Sequence, residues 1–169
     1  MNKQSPPINK KSFTLVELVV YVGILSLLLI IFIDMFALLV NKQLETESLS
    51  SVQQDALYLL SRFSYDFGRA KDISFPSSPG TPSASLRLLI DSASYDYYAT
   101  SSGIVATSSG YINQLNSADT TISNLSFQRL GVGNSKDVVQ IKLDISSRAK
   151  KQSGYEVTHF STTLGIREK

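Results

Sequence analysis

Apolar positions fall into three regimes along the chain. From Phe13 to Val40 they are almost continuous, interrupted by Glu17, Gly23, Ser26 and Asp34, with no Lys or Arg. From Leu44 to Ala70 they recur at steps of mostly three and four: Leu44, Leu49, Val52, Ala56, Leu59 and Leu60, Phe63, Phe67 and Ala70. That spacing is the buried stripe of an amphipathic helix. Ser50, Ser51, Gln53, Gln54, Asp55, Ser61 and Arg62 fall mostly off the stripe, and Arg62 and Asp66 stand at pairing distance on one face. Beyond residue 85 the pattern shortens to runs of β type, clearest where Val139, Ile141, Leu143 and Ile145 alternate with Gln140, Lys142 and Asp144. Thr158, Phe160, Thr162 and Leu164 repeat that alternation more weakly.

The first regime is long enough to cross a hydrocarbon core of about 30 Å, which takes roughly 20 helical residues. Lys3, Lys10 and Lys11 precede it without any acidic residue among them. The positive-inside rule then keeps the N-terminus cytoplasmic and exports the rest. A cleaved secretory signal has a shorter apolar core and a small-residue cleavage site after it, neither of which is present. No proline lies between Pro7 and Pro76, so the spacing predicts one helix from about Ser12 to Ile73. Three of the five prolines fall in 74–85, which predicts a helix-to-sheet linker.

The expected strands are Leu86–Ile90, Tyr95–Ala99, Gly103–Ala106, Tyr111–Leu115, Ile122–Leu130, Val138–Ile145 and Tyr155–Ile166. Gly131-Val132-Gly133-Asn134 and residues 146–154 read as turns. Ala-Thr-Ser-Ser-Gly occurs at 99–103 and again at 106–110, predicting two similar turns around a very short strand. The fold class is therefore α+β, a long transmembrane-then-amphipathic helix packed on a C-terminal, mainly antiparallel sheet.

Composition narrows the chemistry. The 169 residues contain no cysteine, which excludes disulfides, thiolate metal sites and cysteine nucleophiles, and a net charge of +2 is too small to argue for nucleic acid. His159, the single histidine, lies in an expected strand and reads as a surface residue. Gly131-x-Gly133 lacks the third glycine of a nucleotide fingerprint. Asp91, Asp96 and Asp119 do not form a calcium-loop pattern. Arg148, Lys150 and Lys151 read as a solvated hairpin tip, with DNA contact as a weakly supported alternative, and Asn124-Leu-Ser is a glycosylation sequon in spelling only. Neither an enzyme nor a cofactor is expected.

One problem is left: a carboxylate at Glu17 costs about 2.5–3.5 kcal/mol at the centre of a membrane. Lys11-Ser12-Phe13-Thr14-Leu15-Val16-Glu17-Leu18 resembles the signal of type IV prepilins and type II secretion pseudopilins. The resemblance implies a leader over 1–12, cleavage between Ser12 and Phe13 by a prepilin peptidase, N-methylation of Phe13, and an assembly role for Glu17. It implies a filament-core helix over 13–40, an amphipathic continuation over 41–73, the linker 74–85 and a β-rich domain over 86–169. Ser12 departs from the family's usual glycine but is also small, so processing is expected. In a filament, the amine of a neighbouring subunit's Phe13 approaches Glu17 and sets the axial register, which answers the cost of the acid. Asp34 is read as marking the exported boundary of the membrane.

The order of parts, with Arg62-x3-Asp66-x2-Arg69-Ala70 and Ile122-Ser-Asn-Leu-Ser-Phe127, looks most like a minor pseudopilin of the J type or a minor pilin of the PilW and competence type. The implied partners are the peptidase, other pilin or pseudopilin subunits, the inner-membrane assembly platform, and membrane lipid before assembly. The implied location is the bacterial inner membrane, as a single-pass protein, and then a periplasmic or surface filament. The competing expectation is a signal-anchored binding module, for DNA or a secreted substrate, that does not polymerise.

Overall fold

The computed structural model describes residues 14–101, 103–131, 137–151 and 154–166. It is an α+β arrangement with one helix, α1 (Leu15–Arg69), and nine strands: β1 (Asp72–Phe75), β2 (Pro82–Ser83), β3 (Ser85–Ile90), β4 (Ala93–Thr100), β5 (Gly103–Ser108), β6 (Tyr111–Gln114), β7 (Thr120–Arg129), β8 (Val138–Lys151) and β9 (Gly154–Gly165). The chain divides into two units at Val40. In the first, every residue from Leu15 to Met35 and on to Leu39 is exposed, a helical surface with no protein cover. It is the one described helix long and apolar enough to cross a membrane.

The second unit holds the core. All strand pairs are antiparallel and fall into two sheets, ordered β1-β3-β4-β5-β6 and β2-β7-β8-β9. Alternation places Leu86, Leu88 and Ile90 of β3 and Val139, Ile141, Leu143 and Ile145 of β8 inside, as a period of two requires. The helical stripe contributes Val52, Leu59, Phe63 and Phe67 to the same cluster. Phe63 is the hub: its ring lies 5.4 Å from Tyr97 of the first sheet and 6.1 Å, edge-on, from Phe127 of the second. Helix and both sheets share one core, and Phe63 contacts an aromatic ring on each sheet.

The helix ends at Arg69, earlier than the expected Ile73. Ala70 and Ile73 continue the helical spacing and are buried, but Ile73 is buried from a strand, since Asp72–Phe75 pairs with β3. A short apolar step is compatible with either period, and Pro76 after Phe75 favours the extended form. The 74–85 segment is likewise more than a linker. It crosses to the second sheet, where Pro82 and Ser83 pair with Gln128 and Phe127, and returns as β3. The Gly80 N–H donates to the Arg129 carbonyl at 2.8 Å, and Gln128 donates back to the Gly80 carbonyl at 2.7 Å. Arg129 joins the sheets again, with Asp137 at 2.7 Å and the Ile73 carbonyl at 3.1 Å.

Residues 146–151 extend β8 rather than forming a turn; the basic cluster lies at the end of the β8–β9 hairpin, as expected, with Arg148 and Lys150 exposed and Lys151 paired with Glu156. Of Gly131-Val132-Gly133-Asn134 only Gly131 lies within the described residues. The repeated pentapeptides do flank a short strand, β5, but their glycines do different work. Gly110 completes a two-residue loop with Ser109, both at positive φ, and its Cβ position is open. Gly103 has φ +146°, and a Cβ there would lie 1.7 Å from Asn116 Oδ1, an atom that accepts the Ile104 N–H at 3.2 Å. Gly103→Ala is expected to lose about 2 kcal/mol, from strain plus a displaced buried amide, and Gly110→Ala only about 1 kcal/mol. Urea unfolding of the two variants checks the difference.

Candidate functional site

Thr14 starts α1 as its N-cap: its carbonyl accepts the Leu18 N–H at 3.2 Å and its Oγ1 accepts the Glu17 N–H at 3.3 Å. Thr-x-x-Glu is the spelling of a capping box, a signal present in the sequence that the membrane reading passed over. The Glu17 carboxylate lies in the first helical turn, where the helix dipole favours an anion, and accepts a hydrogen bond from the Tyr21 hydroxyl at 3.3 Å. It does not close the box back onto Thr14 in the hydrogen bonds observed. Glu17 thus has a local reason to sit at the helix start, and its carboxylate is still exposed there. Ser12 and Phe13, the expected cleavage and methylation positions, lie outside the described residues.

The rest of this surface is uniform. Ser26, the other polar residue near its middle, donates its hydroxyl to the Val22 carbonyl at 2.8 Å and so leaves no unpaired donor on that surface. Asp34 is exposed near the far end, and the next charges are the Lys42–Glu45 pair at 2.7 Å. Glu17 is the single acidic or basic side chain from Leu15 to Ile33.

In the second unit two buried acids fix α1 to the sheets. Asp55, which spacing placed off the stripe, is 7% exposed. One of its oxygens accepts the Ser117 N–H at 2.9 Å, the Ser117 hydroxyl at 2.8 Å and the Thr120 hydroxyl. An acid on a helix reads as solvent-facing unless its partners are visible, and these lie more than 60 residues away. Asp66, about three turns further along, is fully buried against the Tyr97 hydroxyl, with Arg62 at 2.7 Å as its counter-charge. Burial, and then the hydrogen bond to Asp66, push the Tyr97 hydroxyl's pKa well above the usual tyrosine range. Ser48 adds a bond to the Ala149 carbonyl at 3.1 Å. Asp55→Ala is expected to cost about 2–3 kcal/mol by leaving three donors without their acceptor, and Asp55→Asn about half of that, because a carbonyl oxygen remains. Denaturant midpoints of the two variants test the order.

The remaining candidates carry no visible chemistry. Asp91 pairs with Arg69 at 2.8 Å, and Asp96 with Arg87 at 2.5 Å inside a cavity of about 440 Å³ between β1, β3 and β4. Asp119 stands apart from both. Among the described residues no three His, Asp or Glu side chains gather where a metal ion could be held. His159 is exposed, as expected, with Nδ1 2.6 Å from Asp144. Asn124, which takes a left-handed conformation (φ 52°) at a bulge in β7, also bonds Asp144, and these two partners hold the Asp144 carboxyl below its usual range. What the geometry offers is an uncovered apolar helix with one acid at its start, joined in sequence to a compact second unit. No protein-family model matches this chain, and neither a curated protein nor a solved structure matches it.

Proposed function

We propose that the chain is a pilin or pseudopilin subunit, of the minor kind. Its 1–12 leader is removed between Ser12 and Phe13, Phe13 is N-methylated, and the mature chain waits in the inner membrane before entering a type IV pilus or a type II secretion pseudopilus. The observation that carries this reading is the Lys11–Leu18 motif at the head of a wholly uncovered apolar helix. In the membrane, lipid covers that surface; in a filament, the equivalent helices of neighbouring subunits would, and dispersion contacts replace lipid contacts at little cost. Glu17 is the exception, and pairing with a neighbour's terminal amine is available to it only on assembly. The β domain, fixed to the helix by Phe63, Asp55 and Asp66, would then present its outer surface to other subunits.

The test is co-expression with a prepilin peptidase. The parent chain is expected to shorten by its leader. Ser12→Gly is cut at least as fast, and Ser12→Leu is left uncut, because the peptidase takes a small residue before the cleaved bond. Equal processing of all three, or of none, contradicts the reading.

A further inference from the structure

Arg62, Arg69, Arg87 and Arg129 are each matched to a carboxylate: Asp66, Asp91, Asp96 and Asp137 in turn. Arg148 is the exception, since its guanidinium has no ion pair or hydrogen bond among the described residues. It is exposed, and it lines a cavity of about 440 Å³ with Thr121, Ser146, Ser147, Tyr155 and Val157. Small-ligand sites run from about 300 to 1,000 Å³. No acidic residue lines this cavity. The cavity of equal size on the first sheet differs here, because Asp96 already neutralises its Arg87.

The backbone that carries Arg148 is held from several sides. β8 loses register with β9 between Ser146 and Lys150, an irregularity of the kind that re-aims a side chain. The Arg148 N–H donates to the Asp119 carbonyl at 2.8 Å, and the Ala149 N–H donates to Ser147 Oγ at 3.1 Å. The Ala149 carbonyl accepts the Ser48 hydroxyl of α1 at 3.1 Å. Nearby, Thr121, Ser146 and Val157 form one row across β7, β8 and β9. Thr121 Oγ1 and Ser146 Oγ lie 2.6 Å apart, so one hydroxyl proton bridges them. The other proton finds only a backbone carbonyl at 3.5 Å, the outer limit of a hydrogen bond. One hydroxyl donor is therefore available to a ligand. Tyr155 and Val157, both exposed, add an apolar wall.

We propose that this cavity binds a carboxylate carried on an apolar group, as presented by a small aromatic acid or by the last residue of a peptide. This goes beyond the assembly role and does not depend on it. The guanidinium of Arg148 takes the two carboxylate oxygens side by side, the arrangement its planar fork matches. The spare hydroxyl of the Thr121–Ser146 pair donates a further bond. Tyr155 and Val157 take the apolar part out of water.

The surrounding charges set the class of ligand. A cation would meet Arg148 and no acid in the cavity. The Asp119 carboxylate is exposed and makes no ion pair with Arg148, and Glu156 is engaged by Lys151. A nucleic-acid strand needs cations at repeated phosphates, and Arg148 is the single charge lining the cavity, which Lys150 does not line. One guanidinium, one spare hydroxyl and an apolar wall match a monoanion with an apolar body.

The test uses the full chain in an uncharged detergent, with backbone amide shifts followed by NMR during titration. The probes are N-acetyl-valyl-phenylalanine, its C-terminal amide, and phenylacetate. Expected are saturable shifts at the Thr121, Arg148 and Val157 amides with millimolar or less of either acid, and roughly tenfold weaker binding of the amide. Arg148→Gln keeps the backbone N–H that Asp119 holds and should also bind the acids roughly tenfold more weakly. Lys150→Gln should bind them nearly as the parent does. The amide probe on the parent chain keeps the result interpretable if Arg148→Gln fails to fold. Tighter binding of the dipeptide than of phenylacetate assigns the site to a chain end, and equal binding assigns it to free acids. No saturable shift at millimolar acid, equal binding of acid and amide, or a Lys150→Gln loss as large as that of Arg148→Gln overturns the proposal. So does tighter binding of inorganic phosphate or of a short DNA oligonucleotide than of either acid.

Discussion

Glu17→Ala is expected to leave processing between Ser12 and Phe13 intact and to remove the chain from purified filaments. The loss should be near complete rather than graded. In the isolated subunit Glu17 sits in a first turn already capped by Thr14, with Tyr21 as its hydroxyl partner. Losing the anion there costs about 0.3–1 kcal/mol of helix-end stability, too little to eject a subunit. In a filament the same carboxylate would meet a neighbour's amine in apolar surroundings, and removing one member of such a pair strands the other at a cost of about 3–5 kcal/mol per contact. Glu17→Gln separates the two roles. It keeps the length and the hydrogen-bonding capacity toward Tyr21 but not the charge, so it fails with Glu17→Ala if the charge pair matters. Quantitative blotting of sheared filaments against membrane fractions reads both variants. Incorporation of Glu17→Gln at the parent level would reduce Glu17 to a helix-start residue.

Phe63→Ala is expected to destabilise the second unit by about 3–5 kcal/mol, a large share of what a domain of this size holds. The ring is fully buried and touches an aromatic ring on each sheet, so truncation opens a cavity where helix and both sheets meet. Phe63→Leu should cost less than half as much, because most of the volume is kept. Leu57→Ala, at an exposed position on the same helix, should change little. Denaturant unfolding followed by tyrosine fluorescence checks the three, and a Phe63→Ala loss below about 1 kcal/mol would mean that helix and sheets do not share a core.

Much of this architecture is legible in the chain because periodicity carries it. Val52, Leu59, Phe63 and Phe67 announce the helix's buried face, and Val139 to Ile145 announce a strand with one buried side. What is not legible depends on partners far away in sequence. β1 and β2 are too short to show a period and exist only through pairing with β3 and β7. Leu49 fits the stripe but is exposed, and Asp55, three residues after Val52 and four before Leu59, lies on the buried face, where Ser117 and Thr120 hold its carboxylate. Glu17 was legible as an anomaly, and its capping partner Thr14 was readable three residues upstream. Ser12 and Phe13 are carried by the motif alone.

The most direct measurement is the mass of the N-terminal peptide of chains recovered from filaments assembled in cells that carry a prepilin peptidase. The account predicts a peptide that begins at Phe13 and bears one added methyl group. A chain that still begins at Met1, or one that begins at an unmethylated residue other than Phe13, contradicts it.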